Sequence, residues 1–184
     1  HEMLPSVRPY FDSFLAWVRD YGLHPNGQPG VGDWEQLEIT LLNRTHDYAG
    51  TSDGAVWITR GRSAQADHIV ERIGGPSAQR VLVRVDYKTR EKSDERLFND
   101  MPLQGVAYER GEVAMLPDGR EVPVPSTHAR AVLQLRPQAY TFKPMLSDDA
   151  AFEAFLGVLR AYRWIHGPGK NAFELDVWES ISPG

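Results

Sequence analysis

The stretch Arg80-Val81-Leu82-Val83-Arg84-Val85-Asp86-Tyr87-Lys88 decides how this chain folds. Val81, Val83 and Val85 alternate with Leu82, Arg84 and Asp86, the period of a β-strand. The valines line one face, and Asp86 and Lys88, two residues apart, leave together from the other. A carboxylate and an ammonium therefore stand side by side at a strand's end. Working upstream, Trp34–Asn43 and Tyr48–Thr59 read as strands joined by a turn at Asn43–Asp47, which makes a hairpin. In the first of them Leu37, Ile39 and Leu41 alternate with Gln36, Glu38 and Thr40. In the second, Gly50-Thr51-Ser52-Asp53-Gly54 sets Asp53 at a glycine-rich kink, where backbone can approach a neighbour. If the second and third strands pair, Asp53 reaches Asp86. Between them, Gly61–Gln79 is polar and loop-like, an apparent insertion with room for a short helix around Ala66–Ile73.

Further out, Val7, Tyr10, Phe11, Phe14, Leu15 and Val18 recur at helical steps and predict a helix over Ser6–Tyr21. Glu91–Asn99 is a charged connection. A helix follows over Met101–Arg110, with Pro102 tolerable in its first turn. Pro117-Asp118-Gly119 predicts a hairpin turn between Glu112–Leu116 and Glu121–Val124. Arg130–Leu135 and Ala139–Lys143 are two more strands. Ser147 is expected to cap a long helix ending at His166, with Phe152, Phe155, Leu156, Leu159 and Tyr162 as its buried stripe. Trp17, Trp34, Trp57 and Trp164 are expected in the core. The order is helix, three strands, helix, four strands, helix. It predicts an α/β or α+β fold with a mixed central β-sheet flanked by helices, one domain over residues 1–169 with 170–184 as a tail.

Composition narrows the function. The chain has 184 residues, 41% apolar and 24% charged, which suits one globular domain with a real core. No apolar run approaches the ~20 residues of a membrane span, so no membrane partner is expected and a cytoplasmic location is the default. A processed start ahead of His1 leaves a leader open. Without cysteine there is no disulfide, thiolate metal site, iron–sulfur cluster or thiol nucleophile. The net charge of −5 hides a basic segment: residues 60–96 carry nine Lys or Arg against six Asp or Glu. Such a segment on an acidic body can meet phosphate, or can simply be a solvated surface.

Two carboxylates converging at Asp53 and Asp86 repel unless a cation joins them, and Mg²⁺ or Mn²⁺ prefers such hard oxygen ligands. Gln104 and Tyr108, four apart, share one helix face and can offer an amide and a phenol to a phosphate or a base. Carboxylates, a divalent ion and a nearby lysine form a hydrolytic set that needs no covalent nucleophile.

The succession Gly50-Thr51-Ser52-Asp53, then Asp86-Tyr87-Lys88-Thr89, then Gln104 with Tyr108 resembles the PD-(D/E)xK nuclease superfamily, above all the RecB-like and Cas4-like exonucleases of phages and their hosts. The resemblance covers Trp34–Arg110 by motif. It implies a restriction-endonuclease-like core and a Mg²⁺- or Mn²⁺-dependent deoxyribonuclease, an exonuclease of recombination or repair in a bacterial or phage-infected cell. It also implies that Asp53, Asp86 and the Tyr87 carbonyl ligate the metal and that Lys88 is the catalytic lysine. Gln104 and Tyr108 would match the motif that contacts DNA or the catalytic groups. RecB-like members carry an upstream metal-binding His, often followed by Glu. His1-Glu2 is either that motif or a tag remnant. Glu38 takes the place of an acidic residue often found before the Gly-Thr-x-Asp segment. Arg90, Lys92 and Arg96 follow the catalytic strand and either grip the DNA backbone or solvate a loop. The four-cysteine iron–sulfur cluster of many relatives has no counterpart here.

Two rival readings remain: a non-catalytic nucleic-acid-binding module of the same fold, and a structural or assembly protein such as a phage component. The first would bind DNA with steep salt dependence and leave it intact; the second would take up neither metal nor DNA. Oligomeric state is left open.

Overall fold

A computed structural model describes residues 4–24, 32–91, 97, 100–116, 118–145 and 148–171. His1, Lys92 and Arg96 lie outside the described residues, as does Ser147.

The elements run α1 (Arg8–Asp20), β1 (Trp34–Asn43), β2 (Tyr48–Thr59), α2 (Ala64–Gly74), β3 (Arg80–Thr89), α3 (Met101–Glu109), β4 (Val113–Met115), β5 (Glu121–Pro123), β6 (Ala129–Arg136), β7 (Ala139–Met145) and α4 (Asp149–His166). A 3₁₀ turn over Pro168–Asn171 closes the described chain. The strands form one mixed sheet in the order β5-β4-β1-β2-β3-β6-β7. Only β3 and β6 pair in parallel, with α3 and the β4–β5 hairpin lying in the chain between them. The fold is mixed α/β, as expected. No helix among the described residues is long and apolar enough to cross a membrane.

The main core fills the space between the sheet and α1 and α2. Trp17 and Val18 of α1 pack on Val56, Ile58, Val81, Val83, Val85, Ala131 and Leu133, all nearly inaccessible to solvent. Full burial of such side chains contributes about 1.5–3 kcal/mol each. The opposite face of β3 is also covered, because Leu82, Arg84 and Asp86 are buried too. That is the face over which α3 lies: Lys88 of β3 bonds Gln104 of α3.

Several expectations are corrected. The supposed insertion contains α2, which belongs to the core: Ser63 caps it by accepting from the Ala66 N–H, and Ala66, Ile69 and Val70 are buried. Its apolar positions fall at helical steps that the intervening charges obscure. Asp148 caps α4, its carboxylate accepting from the Ala151 N–H at 2.9 Å. Only Leu156 of α4 is fully buried. Tyr162 and Trp164 are exposed, because the last turns of the helix find no partner layer among the described residues. Trp57 is half-buried near the end of β2, bonded to Glu35 and covered by the Arg80 guanidinium.

The alternation in β1 breaks at Glu38. Leu37 packs into the main core, yet Ile39 and Leu41 belong to a second cluster with Ala114, Tyr108 and Leu116. Strict alternation would keep all three together. Glu38 has φ of 47°, in the left-handed region, and its unusual backbone turns the strand over. The register with β2 is kept across this point, Leu37 pairing with Gly54 and Ile39 with Ser52. Between those partners stands Asp53.

Candidate functional site

The site grows from the point where β2 and β3 part. Their ladder ends at Gly54 opposite Val85. The next residues on each strand are Asp53 and Asp86. Beyond the ladder the Tyr87 N–H has lost its strand partner, and the Asp53 carboxylate replaces it, accepting that N–H at 2.6 Å. A buried N–H needs such a partner. In extended backbone the N–H and C=O of one residue leave on the same side, so the Tyr87 carbonyl faces the same region. The Tyr87 ring is anchored in the core against Phe14 and Trp17.

Asp86 is 8% exposed and its carboxylate accepts from the Lys88 ammonium at 2.8 Å. Lys88 also donates to Gln104 Oε1 at 3.1 Å, and Gln104 Nε2 donates to the Tyr108 hydroxyl at 2.8 Å. Asp86, Lys88, Gln104 and Tyr108 thus form one hydrogen-bonded chain from β3 onto α3. Gly50 of β2 makes room for it: a Cβ there would lie 2.7 Å from Tyr108 Cε1.

The electrostatics tie Asp53 to this chain. Burial raises the Asp86 carboxyl above its ordinary value; Lys88 opposes the shift and the Asp53 charge adds to it. Burial likewise raises the Tyr108 phenol, and the charges of Asp86 and Asp53 raise it further. A carboxylate whose ionisation is disfavoured by burial and by a neighbouring carboxylate's charge makes a site that a divalent cation would relieve. Both offer hard oxygen donors, so the donor set fits Mg²⁺ or Mn²⁺.

Asp53, Asp86, Tyr87, Lys88, Gln104 and Tyr108 are therefore brought together. Glu38 is level with Asp53 on the adjacent strand but exposed, and no group of three His, Asp or Glu side chains suited to a metal occurs among the described residues. Arg90 borders an open cleft of about 350 Å³ with Lys88, Thr89, Asp100, Met101 and Gln104.

Three nearby residues escaped the sequence reading. Gly50 supports Tyr108 by having no side chain, and it was legible only as part of a glycine-rich run. Asp100 precedes α3 without capping it through its side chain. Gln134 of β6 stands opposite Lys88 in the parallel ladder, fully buried, with no partner among the described residues for either amide atom. Nothing in the sequence around it signals that burial.

No protein-family model matches this chain, and no curated protein matches it at a significant level.

Proposed function

We propose that this chain is a metal-dependent deoxyribonuclease of the PD-(D/E)xK type, with a restriction-endonuclease-like core, hydrolysing phosphodiesters by direct attack of water. The supporting observation is the convergence of Asp53, Asp86, Lys88, Gln104 and Tyr108 from β2, β3 and α3 into one connected patch. Asp53 and Asp86, with the Tyr87 carbonyl, would hold Mg²⁺ or Mn²⁺. The ion supplies Lewis-acid polarisation of a phosphoryl oxygen and acidifies water at the site. Asp53 is pre-set by the Tyr87 N–H, which occupies one of its oxygens and leaves the other available. The Lys88 ammonium has three donors, two of them used in the structure. Its positive charge offsets the charge that develops on the phosphate, and its remaining N–H can orient the attacking water. Gln104 fixes Lys88, and Tyr108 fixes Gln104. The exonuclease form, with a role in phage or bacterial recombination or repair, rests on the motif resemblance.

The test uses end-labelled linear and circular DNA with Mg²⁺, Mn²⁺ or EDTA. Cleavage should require the metal, and Lys88→Ala should reduce it by about a hundredfold or more while circular dichroism shows the fold retained. Wild-type cleavage by that variant would overturn the proposal. DNA bound but left intact with Mn²⁺ would favour the binding-module reading. Neither metal uptake nor DNA affinity would favour the assembly-protein reading.

A further inference from the structure

Two clefts adjoin at the candidate site, and their linings differ in kind. The first carries Lys88 and Arg90. The second, about 410 Å³, runs between β2, α3 and α4 and is lined by no lysine or arginine among the described residues. Tyr48, Leu103, Ala107, Phe155, Val158 and Leu159 make most of its wall. Gln104 and Asp100 border both clefts, and Tyr108 borders the second. The Tyr48 hydroxyl is already bonded to the Ala107 carbonyl and its ring meets Phe155 edge-on, so this wall presents apolar surface. The volume is that of a small-molecule site.

We propose that the apolar cleft receives a nucleobase of the substrate strand, unpaired and turned away from the duplex, while the cationic cleft holds its phosphate. This deepens the nuclease reading above and rests on it. A phosphate has little reason to enter the second cleft, whose described lining offers it no cation. A base has good reason: stacking against aromatic and aliphatic walls is tolerant of sequence and adds affinity. The clefts share Gln104 and Asp100, so a group held in one adjoins a group held in the other, as base and phosphate of one nucleotide do. Asp100 does not spend its carboxylate on capping α3, which leaves it to accept from a base N–H. The substrate class that follows is a single strand or a frayed end, since a base inside an intact duplex cannot leave its stack without cost.

The test is binding in EDTA, where no cleavage occurs. Single-stranded oligonucleotides carry 2-aminopurine at the 3′ or the 5′ end, or an abasic residue at the same position. One of the two fluorescent ends should change its emission on binding, and its abasic counterpart should bind about tenfold more weakly. Val158 is 57% exposed, so Val158→Trp should fill the cleft without disturbing the fold. It should remove the same tenfold from the base-bearing oligonucleotide and nothing from the abasic one. Phe155→Ala, which enlarges the cleft, should also weaken only base-bearing DNA. Equal binding of base-bearing and abasic strands, or indifference to both variants, would overturn the cleft assignment. If DNA is then still cut with Mg²⁺ or Mn²⁺, the nuclease reading survives; if the wild-type chain neither binds nor cuts DNA, both fall.

Discussion

Gly50→Ala should damage the site through a single contact. The backbone at Gly50 needs no left-handed conformation, so alanine fits the strand itself and the effect is steric. The new Cβ would sit 2.7 Å from Cε1 of Tyr108 and 3.6 Å from Cδ1. Carbon atoms settle at about 3.5–4.0 Å, so the ring must withdraw by about 1 Å. Overpacking of this kind costs about 1–3 kcal/mol, and each kcal/mol lowers the melting temperature of a domain this size by roughly 2–4 °C. The same movement pulls the Tyr108 hydroxyl from Gln104 Nε2, now 2.8 Å away, and so loosens the group that holds Lys88. A displacement of that size can cost about a hundredfold in rate. Urea unfolding of the wild type, Gly50→Ala, Tyr108→Ala and the double variant separates this clash from a general strand defect. With the ring gone, Gly50→Ala should become neutral or slightly stabilising, giving a coupling of about 1–3 kcal/mol. A glycine substitution that costs the same with and without the ring would refute the reasoning.

Gln134→Met should raise stability by about 1–3 kcal/mol, because it removes a buried amide with neither atom paired while keeping most of the side-chain volume; a lower urea midpoint at unchanged slope would contradict this. Asp86→Asn should stabilise the protein in EDTA at neutral pH. Burial raises the folded-state value of Asp86, so its contribution to stability is fully present below the unfolded carboxyl value and lost as pH rises through the folded one. Urea curves for wild type and variant should converge in acid and separate toward neutrality, and a variant less stable than wild type at pH 7 would sink the claim. Glu38→Gly should gain up to about 1 kcal/mol by relieving a left-handed φ of 47°, read by thermal melting; a clear loss would mean that the Glu38 side chain holds the turnover in place.

The parts that the sequence made legible are those fixed by a short repeating pattern. Val81, Val83 and Val85 specify β3 and its faces. The patterns of β1, β2 and β3 together imply neighbours, which is enough to bring Asp53 to Asp86. Gln104 and Tyr108 share a face on any helix, whatever its surroundings. What escaped depends on the sign of a torsion or on layers distant in sequence. Glutamate does not announce a positive φ, so the turnover at Glu38 read as plain alternation. Ser147 and Asp148 are equally good caps by residue type, and only geometry selects Asp148. Tyr162 and Trp164 fall among apolar helical positions, but burial needs an opposing layer, and α4 runs past the one available. Gln134 is hidden because β6 pairs in parallel with β3 on one side and antiparallel with β7 on the other, a placement no local pattern encodes.

Four departures from low-energy structure gather in one place. Glu38 holds a left-handed backbone beside Asp53. Asp86 is a carboxylate that burial discourages from ionising. Gln134, beside Lys88, has a buried amide without a partner. Arg84, two residues before Asp86, is 2% exposed, and burial lowers its guanidinium from the ordinary value; it bonds Ser52 and Gln36. All four lie on or beside the β1–β2–β3–β6 strip at the level where Asp53 and Asp86 meet. The hydrophobic cluster beneath α1 and α2 is mostly apolar, although the buried Trp17 Nε1 there has no partner among the described residues. A chain selected only to fold would gain by relaxing the strip as it has relaxed the cluster. The expected sign of relief for Asp86, Gln134 and Glu38 is stabilising, which makes the strip a part of the molecule where stability has been given up for something else.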